Sequence, residues 1–381
     1  MAVFLYWLGV SILFYQFFLY PLLLFFLSKL GLQKKVKLGD GYFPSVSLII
    51  TAYNEEKIIR SKLENSLALD YPKELLEIIV VSDCSTDQTD KIVKEYAVKG
   101  IKFLRVEPRG GKTNAQNQAV RMAAGEVICF SDANSMWEKN AVRRLVASFI
   151  DPKVAYVCGQ LRYYKDNNLT RRSEGLYWGY EMLLRRLESA LYSVTAGNGA
   201  IYAIRRKEFE EINPFYSHDL YYPQLVVGKG KLALYAQEAI AYEKSGANVK
   251  DEFSRRVRMF GRTWLGLIKE KGMVNPVKHG FLYSLMFFSH RLLRYILPFL
   301  LVLVFIAGWL AAAGGGWYLA GFLIQLGFYL LAILGFMGFR AKAFFFPMYF
   351  TMFAAASLWG LIRLMQGKVK PYWEQAASTR N

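Results

Sequence analysis

The sequence predicts an α/β domain with a mostly parallel sheet in the middle of the chain and α-helical transmembrane segments at both ends. Uncharged runs occupy residues 1–28, 295–339 and 343–362, whereas residues 31–250 have the composition of a soluble domain. Within that middle part, strand patterns alternate with helix patterns. The 381-residue chain is 54% hydrophobic yet carries a net charge of +18, so its apolar and basic residues lie in different places. This composition excludes a disordered chain and a disulfide-stapled secreted domain.

Residues 1–30 are expected to form an N-terminal transmembrane helix, because about 20 apolar residues are enough to span a bilayer. A signal peptide would need a basic start, a shorter apolar core and a small-residue cleavage site. The segment has no basic start and contains many aromatic residues. An uncleaved anchor is therefore the preferred interpretation.

Residues 291–365 are expected to contain two to three further spans. The run at 295–339 is too long for one span and suits two, with Gly314, Gly315 and Gly316 supplying the turn. The run at 343–362 has the length of one span, but Pro347 and a run of three alanines suit a re-entrant segment. The number of spans stays open at this point.

Basic residues near the ends of the apolar runs predict a cytoplasmic middle domain, since cytoplasmic loops carry an excess of Lys and Arg. The basic residues that indicate this orientation are Lys29, Lys34, Lys35, Lys37, Arg291, Arg294, Arg340 and Lys342. We expect a multi-pass protein of the plasma or inner membrane. A fourth full span would place the basic residues of the tail, 366–381, on the outside, against this tendency.

The middle domain, residues 40–250, shows four predicted strands separated by helices. The strands are expected at 46–51, 76–82, 101–106 and 126–131, and the helices at 55–69, 86–99 and 112–124. Continuous β-branched runs of this kind form buried parallel strands, and ligands bind beyond the carboxyl ends of such strands. The residues that follow each strand are therefore the candidates for a site.

Polar residues follow all four predicted strands, namely Tyr53, Glu55, Asp83, Lys112, Asp132 and Asn134. An aromatic ring can stack on a base, carboxylates can accept from base or ribose, and a lysine can meet phosphate charge. The Asp-x-Asn element can ligate or orient a divalent cation on a pyrophosphate. A single Asp after a strand is more often a helix cap, but four polar strand ends together favour a site.

Cysteine and histidine usage argues against a thiol or imidazole metal site. Cys84, Cys129 and Cys158 are odd in number and lack metal-site spacing, which fits free thiols in a reducing compartment. The three histidines are scattered along the chain. The segment before Lys112 lacks the first glycine of a phosphate-binding P-loop, so that class of site is excluded as well.

The second half of the domain contains three weaker signals. Residues 197–199 read Gly-Asn-Gly, which permits close approach of a ligand but equally suits an ordinary turn. Asp219 follows His218 and can act as a general base, although a surface aspartate is the commoner case. Residues 251–290 are predicted to be amphipathic interfacial helices, with Trp264 on the apolar stripe and Arg262 on the basic face.

The arginines of that helix have two interpretations. Arg255 and Arg258 are three residues apart, so one face of the helix can present both to a single pyrophosphate. Contact with lipid phosphates is an equal alternative for Arg256 and Arg262.

Taken in order, these motifs resemble those of family 2 glycosyltransferases over residues 44–380. The matching segments are AYNEE at 52–56, SDCSTD at 82–87, GGK at 110–112, FSDAN at 130–134, GNGAIY at 197–202, HD at 218–219 and RRVR at 255–258, with Trp373 and Arg380 as a Trp…Arg ending. The resemblance implies an inverting enzyme with a Rossmann-like GT-A fold. It is similar to the membrane-bound synthases of cellulose, hyaluronan, poly-N-acetylglucosamine and glucosylceramide.

The resemblance also implies roles for individual residues. The nucleotide would be bound by Tyr53, Glu55, Asp83, Lys112, Asp132, Arg255 and Arg258. Asp219 would be the catalytic base, and Asp132 with Asn134 would hold Mg²⁺ or Mn²⁺. The acceptor would lie against Gly197, Asn198, Gly199, His218 and Trp264. The partners implied are a nucleotide-sugar donor, a lipid or polysaccharide acceptor and membrane lipids.

Two departures from the family pattern bear on the activity. Asn134 replaces the second carboxylate of the metal motif, and Met259 stands where processive synthases have an acceptor-binding tryptophan. The first hypothesis is transfer of a sugar from a UDP-sugar to a growing polysaccharide. The alternative is transfer of a single sugar to a lipid. A non-catalytic membrane protein with a relict domain is a third. Nucleic-acid binding is disfavoured, because the basic residues cluster at span ends and on one amphipathic helix.

Overall fold

A computed structural model describes residues 1–34, 36–39, 41–164, 170–244, 249–270, 275–339 and 341–372, without the side chains of 170–177. Within these residues an eight-stranded sheet has the order β3-β2-β1-β4-β7-β6-β8-β5. The strands are β1 (Val46–Ala52), β2 (Leu76–Ser82), β3 (Lys102–Arg105), β4 (Val127–Asp132), β5 (Met136–Trp137), β6 (Val154–Tyr163), β7 (Ile201–Arg205) and β8 (Leu232–Glu243).

The first four strands are parallel neighbours, as the sequence predicts. β1 pairs with β2 on one side and with β4 on the other, placing Ala52 beside Ser82 and Thr51 beside Asp132. Alternate residues of β1 enter separate cores on the two faces of the sheet, Leu48 in one and Ile49 in the other. The polar residues after these strands therefore meet at one edge.

The second half of the sheet differs from the expected parallel arrangement. β7 runs antiparallel to both β4 and β6, β6 and β8 are parallel, and β5 is antiparallel to β8. The sequence analysis identified none of these four strands. Because β7 is reversed, its first residue, Ile201, lies opposite Ser131 at the end of β4. The Gly-Asn-Gly segment that precedes β7 thus reaches the same edge as Asp132.

Helices cover both faces of the sheet and extend to the apolar ends of the chain. They are α1 (Ala2–Lys29), α2 (Ile59–Leu67), α3 (Thr89–Glu95), α4 (Lys112–Met122), α5 (Ala141–Val146), α6 (Thr170–Leu191), α7 (His218–Gly228), α8 (Val249–Lys269), α9 (Pro276–His279), α10 (Phe281–Ala312), α11 (Gly316–Phe336) and α12 (Lys342–Met365). α1 and α10 each contain one wider π-helical turn.

Among the described residues, α1, α10, α11 and α12 are the helices long and apolar enough to cross a membrane. Gly315 and Gly316 have φ values of 67° and 56° in the turn between α10 and α11, where the glycine run was expected to turn. α10 begins at Phe281, so it takes up part of the segment assigned to interfacial helices. α12 continues without a break through Pro347.

The apolar stripe of α8 packs against protein. Val257 and Phe260 are buried together with Tyr295 of α10 and Phe353 of α12. The backbones of α8 and α12 approach most closely at Gly261 and Gly360, where an added Cβ would meet the other helix. The stripe that predicted a lipid-facing helix is therefore largely covered by α10 and α12.

Candidate active site

The loops after β1 and β2 hold each other in place at the edge of the sheet. Asn54 and Cys84 both have left-handed backbone conformations, with φ values of 52° and 61°. The Asn54 side chain accepts from the backbone N–H of Thr86 at 2.8 Å and donates to its hydroxyl at 3.2 Å. Glu55 is buried in this region, and its backbone N–H donates to Thr89 at 2.7 Å. These contacts orient Tyr53 and Glu55 beside Asp83.

Asp83 supports the glycine loop that leads into α4. Its two carboxylate oxygens accept from the backbone N–H groups of Gly110 and Gly111, at 2.8 and 2.9 Å. The aspartate is buried, so these bonds satisfy a carboxylate that has little access to water. Asp83 therefore shapes the loop at the position where the resemblance expects nucleotide contacts.

The side chain of Arg109, on the same loop, contacts two aromatic rings. Its guanidinium carbon lies 3.5 Å from the centroid of the Tyr53 ring and 4.9 Å from that of Tyr372. The backbone of Pro371 passes directly over Gly111, where no Cβ would fit. The sequence analysis did not identify Arg109 or Tyr372 as site residues. Trp373 and Arg380, the predicted ending motif, lie outside the described residues.

Lys112 connects three parts of the site. Its ammonium group forms an ion pair with Asp132 at the end of β4 and donates to the carbonyl of Gly199 at 2.9 Å. Lys112 is the first residue of α4, so the pair joins a helix start, a strand end and the Gly-Asn-Gly loop. All three were singled out from the sequence, and the fold brings them together.

Two ionisable residues that the sequence analysis missed lie next to Asp132. Burial raises the pKa of Glu243 at the end of β8, and the charge of Asp132 raises it further; Ser135 donates to its carboxylate. Burial lowers the pKa of Lys62 to about 7, although Asp132 and Glu243 oppose this shift. Lys62 is one of three charged residues on α2, and nothing in the sequence sets it apart. Only the packing of α2 against β5 reveals its position.

The residues around Asp132 fit a divalent cation that is shared with a diphosphate. Asp132 and Asn134 are half-buried and offer oxygen atoms, the donors that Mg²⁺ and Mn²⁺ prefer. Among the described residues, no three His, Cys, Asp or Glu side chains come together as a closed metal site. Mg²⁺ commonly binds through one or two carboxylates together with substrate phosphates. The donor set present matches that open type of site.

The Gly-Asn-Gly loop is held tightly, and its asparagine points inward. The Asn198 side chain accepts from the backbone N–H groups of Ala200 and Ile201, at 3.2 and 3.1 Å, and donates to the carbonyl of Gly159. Asn198 is buried and these bonds shape the loop, while its expected contact with an acceptor stays a prediction. Gly197 lies against the hydroxyl of Tyr156 and leaves no room for a Cβ.

His218 is buried in the core beside the site, and its expected contact with the acceptor stays a prediction. Its Nδ1 is 3.0 Å from the Tyr202 hydroxyl, and its Nε2 is 3.4 Å from the Asn117 amide oxygen. The ring packs edge-on against Phe130 and Tyr222. Burial holds the pKa of His218 well below its usual range, with Lys112 and Arg262 adding to the effect. The imidazole therefore has a structural role in the core next to the site.

Asp219 lies in the first turn of α7 and is half-buried. Its backbone carbonyl accepts from Gly197 N–H at 2.7 Å, which fixes the start of α7 beside the Gly-Asn-Gly loop. Arg262 donates to the carbonyls of Phe215 and Tyr216, just before α7. The chain leading to Asp219 is thus anchored on α8.

The basic face of α8 points into the protein. Arg262 makes the contacts just described, and Arg256 pairs with Glu252 and lies over the Tyr349 ring, so neither arginine is a lipid contact. Burial lowers the pKa of Arg258 to about 10, and the positive charges of Arg255 and Arg262 add to this effect. Such a cluster of like charges is stabilised when an anion binds to it.

Arg255 lies at the same edge as Lys112. Both cations counteract the burial-driven rise in the pKa of Glu243, so both lie within electrostatic reach of that carboxylate. Arg255 also forms a two-pronged pair with Glu252, at 2.8 and 2.9 Å. Arg255, one of the two arginines expected from the sequence to hold a diphosphate, therefore lies near the Asp132 region.

Two further positions were expected to bear on the acceptor. The Trp264 indole donates to the carbonyl of Ser357 at 3.2 Å and packs against Tyr295, so its N–H serves the contact between α8 and α12. The expected acceptor contact of Trp264 stays a prediction. Met259, at the position of the synthase tryptophan, is 49% exposed.

Comparison with known proteins agrees with this geometry. Residues 47–212 match the family profile described as Glycosyl transferase family 2. A probable glycosyltransferase of Bacillus subtilis is 42% identical over 125 residues, which cover 31% of this chain and 30% of the relative. A poly-β-1,6-N-acetyl-D-glucosamine synthase of Staphylococcus epidermidis is 25% identical over 211 residues, covering 55% and 50%. A β-monoglucosyldiacylglycerol synthase of Nostoc is 33% identical over 129 residues, covering 33% and 27%.

A solved structure has a similar fold over almost the whole chain. The mannosyltransferase of Pyrobaculum calidifontis, in complex with GDP-Man and Mn²⁺, has a TM-score of 0.72 and covers 96% of this chain and 99% of its own. At 23% identity this likeness shows the fold, that of the GT-A glycosyltransferases. The chain spans half or less of the length of the curated relatives it matches.

Proposed function

Residues 47–212 form a glycosyltransferase family 2 domain, and from this premise we propose that the protein transfers a sugar from a nucleotide-diphosphate sugar to an acceptor held at a membrane. The observation that carries the proposal is the convergence of Asp83, Lys112, Asp132, Asp219 and the α8 arginines on one edge of the sheet. A UDP-sugar is the proposed donor. Anomeric configuration inverts, because a single displacement uses one base and one leaving group.

The reaction is a direct displacement at the anomeric carbon. Asp219 takes the proton of the acceptor hydroxyl while that oxygen forms the new glycosidic bond. The bond between the anomeric carbon and the diphosphate oxygen breaks, and the nucleotide diphosphate leaves with its electron pair. Lys112, Arg255 and Arg258 surround the place where that negative charge develops, so their charges stabilise the transition state.

A divalent cation, Mg²⁺ or Mn²⁺, belongs to the proposal. Asp132 and Asn134 would hold it, and when bound it would neutralise charge on the diphosphate. Lys112 pairs with Asp132 and orients that carboxylate. The same carboxylate also interacts electrostatically with Glu243 and Lys62.

The membrane segments define where the acceptor is presented. We propose that α1, α10, α11 and α12 place the protein in the plasma or inner membrane, with the domain at 40–250 in the cytoplasm. The proposed boundaries are an anchor at 1–30, α8 and α9 as the connection, membrane segments from Phe281 to residue 365, and a tail at 366–381. Membrane lipids are then direct partners of the apolar helices.

Two acceptor classes follow from the relatives, a growing polysaccharide and a lipid. Met259 is flexible and cannot stack on a sugar as a tryptophan does, and it stands exposed at the position of the synthase tryptophan. This observation favours transfer of a single sugar to a lipid. Extension of a polysaccharide is the second candidate.

A donor screen tests the proposal. The purified full chain in lipid nanodiscs is incubated with UDP- and GDP-sugars and Mn²⁺ or Mg²⁺, and release of nucleotide diphosphate and the length of labelled products are measured. We expect one donor class to give a single-sugar lipid. Long products would favour the polysaccharide candidate, and absence of turnover with every donor would overturn the proposed activity.

The base assignment has its own test. Asp219→Asn should lower transfer by roughly a hundred- to ten-thousandfold while donor binding persists, because only proton removal is lost and general base catalysis typically contributes that much. Asp70→Asn is the matched control, since Asp70 is an exposed aspartate paired with Arg143. Transfer that survives in Asp219→Asn would refute the assignment.

A further inference from the structure

A cluster of charged residues lies buried where α6 meets α10, outside the site described above. Glu181, Arg185 and Glu188 are spaced so that they share one face of α6, since residues three and four apart are neighbours on a helix. The helix α10 contributes His290, Arg291 and Arg294. All six side chains are buried, and Tyr20 of α1 joins them.

The two carboxylates have a full set of partners. Glu188 accepts from the Tyr20 hydroxyl at 2.8 Å and the Thr195 hydroxyl at 2.9 Å, and lies 2.7 Å from His290 Nδ1. Glu181 pairs with Arg294 and lies 3.2 Å from His290 Nε2. These contacts suffice to connect α1, α6 and α10.

Some arginine N–H groups of the cluster, in contrast, have no partner in the part of the chain that the structure describes. Arg291 Nη1 lies 3.5 Å from a carboxylate oxygen of Glu181. Nε and Nη1 of Arg185 and Nη2 of Arg291 are buried without a hydrogen-bond partner among the described residues. The Trp178 ring, 5.6 Å from the guanidinium carbon, is a neighbour of Arg185. A buried guanidinium with unused N–H groups is costly, because burial removes its hydration without replacing it.

Arg291 also contacts the segment that leads to the proposed acceptor side of the site. Arg291 Nε donates to the Thr195 hydroxyl at 3.1 Å, and two residues further Gly197 N–H donates to the Asp219 carbonyl at 2.7 Å. Burial raises the pKa of the Cys158 thiol to about 11; Arg185 and Arg291 lower it, and Asp219 raises it further. All three charges therefore act on the same thiol.

We propose that Arg185 and Arg291 bind a phosphoryl group of the acceptor and so present its hydroxyl to Asp219. The inference rests on the proposed function and specifies its acceptor as a phospholipid whose headgroup also carries a hydroxyl. A soluble phosphate ester offers the same chemistry, but Tyr20 and His290 place the cluster on α1 and α10, two of the apolar helices.

Direct binding tests the site without the reaction. The full chain in maltoside detergent is melted with phosphatidylglycerol, which has a phosphoryl group and hydroxyls, and with diacylglycerol, which has a hydroxyl alone. We expect phosphatidylglycerol to raise Tm and Arg185→Gln to abolish that rise. Arg186→Gln is the matched control, because Arg186 is the exposed neighbour and should behave as the wild type does. Equal shifts with both lipids, or a shift that survives in Arg185→Gln, would overturn the inference.

The unliganded variant provides a second criterion. Removing a buried charge that has unused N–H groups should leave Tm unchanged or raise it, whereas an essential structural charge would lower it. A marked fall in Tm for Arg185→Gln together with unaltered lipid response would assign the residue to structure and overturn the site.

Transfer assays separate the inference from the proposed function. With phosphatidylglycerol as acceptor, Arg185→Gln should raise the acceptor KM at least tenfold, with a smaller change in kcat. Phosphatidylglycerol binding without any transfer would overturn the proposed function and leave the anion site standing. Transfer to diacylglycerol with an unaltered KM in Arg185→Gln would support the proposed function and overturn the anion site. If glycerol 3-phosphate is used as well as phosphatidylglycerol, and this use also depends on Arg185, the conclusion that the acceptor is a lipid is overturned.

Discussion

Lys112 forms an ion pair with Asp132 and so joins the start of α4 to the end of β4. The same ammonium group donates to the Gly199 carbonyl, which places the loop before β7 within reach of both. The nucleotide side and the acceptor side of the proposed active site thus share one lysine.

Lys112→Gln should weaken binding of the nucleotide diphosphate by roughly ten- to a hundredfold. The reason is that hydrogen bonds to charged groups contribute about 1.5–3 kcal/mol, and glutamine retains the size but not the charge. Isothermal titration calorimetry with UDP and GDP in the presence of Mn²⁺ measures the effect. Lys91→Gln, an exposed lysine of α3, is the control. Equal affinities of Lys112→Gln and the wild type would contradict the proposed contact.

Asn134→Asp should lower the Mn²⁺ concentration required for nucleotide binding by about three- to tenfold. The change adds a carboxylate to a donor set that has Asp132 and an amide, and hard cations bind carboxylates more strongly. Asp132→Asn should have the opposite and larger effect. Titration of Mn²⁺ at fixed nucleotide checks both variants. If neither variant shifts the Mn²⁺ dependence, the cation is held elsewhere.

Gly197→Ala should destabilise the protein by about 1–3 kcal/mol, the usual range for overpacking a core. Its new methyl group would collide with the Tyr156 hydroxyl. Tyr156→Phe in the same chain removes that oxygen and should restore part of the lost stability. Gly179→Ala, on an open part of α6, is the control and should be neutral or stabilising. Thermal melts of these three variants and the wild type decide this, and full stability of Gly197→Ala would show that the loop can shift to make room for the methyl group.

Lys62 should make stability rise with pH above about 7. The pKa of Lys62 is about 7 in the folded protein and 10.5 as its ordinary value. Between these values the unfolded chain binds more protons than the folded one, so the free energy of unfolding increases by at most about 1.4 kcal/mol per pH unit. The difference in stability between the wild type and Lys62→Met, measured from pH 6 to 9.5, should show this slope. A pH-independent difference would place the amine in a more hydrated environment.

Local patterns were sufficient to predict the first half of the sheet and its polar edge. β-branched runs identify β1, β2 and β4 from their own residues, and the carboxyl ends of parallel strands necessarily share an edge. Asp83, Lys112 and Asp132 were therefore predicted to lie together without knowledge of any distant contact. The helix over 55–69 begins later, at Ile59, because the left-handed Asn54 and the turn at Glu55 occupy its expected start.

The second half of the sheet depends on contacts between residues far apart in the chain. A buried run such as Ile201–Arg205 reads the same for a parallel and an antiparallel strand, so the reversal of β7 is invisible in its sequence. That reversal brings the Gly-Asn-Gly loop to Asp132. It also turns Asn198 and His218 into the core, because the space around Phe130 and Tyr202 is closed only when all the strands are present.

The sequence by itself determined where the apolar runs long enough to span a membrane lie, which ordered motifs resemble those of a nucleotide-sugar enzyme, and which carboxylates are candidates for the reaction. These follow from composition and from residues adjacent in the chain. The tertiary structure alone decided which charged side chains are satisfied and which are not. Arg262 anchors the segment before Asp219, whereas Arg185 keeps unused N–H groups. The difference arises because hydrogen-bond partners come from elements that are distant in the chain and meet only in the fold.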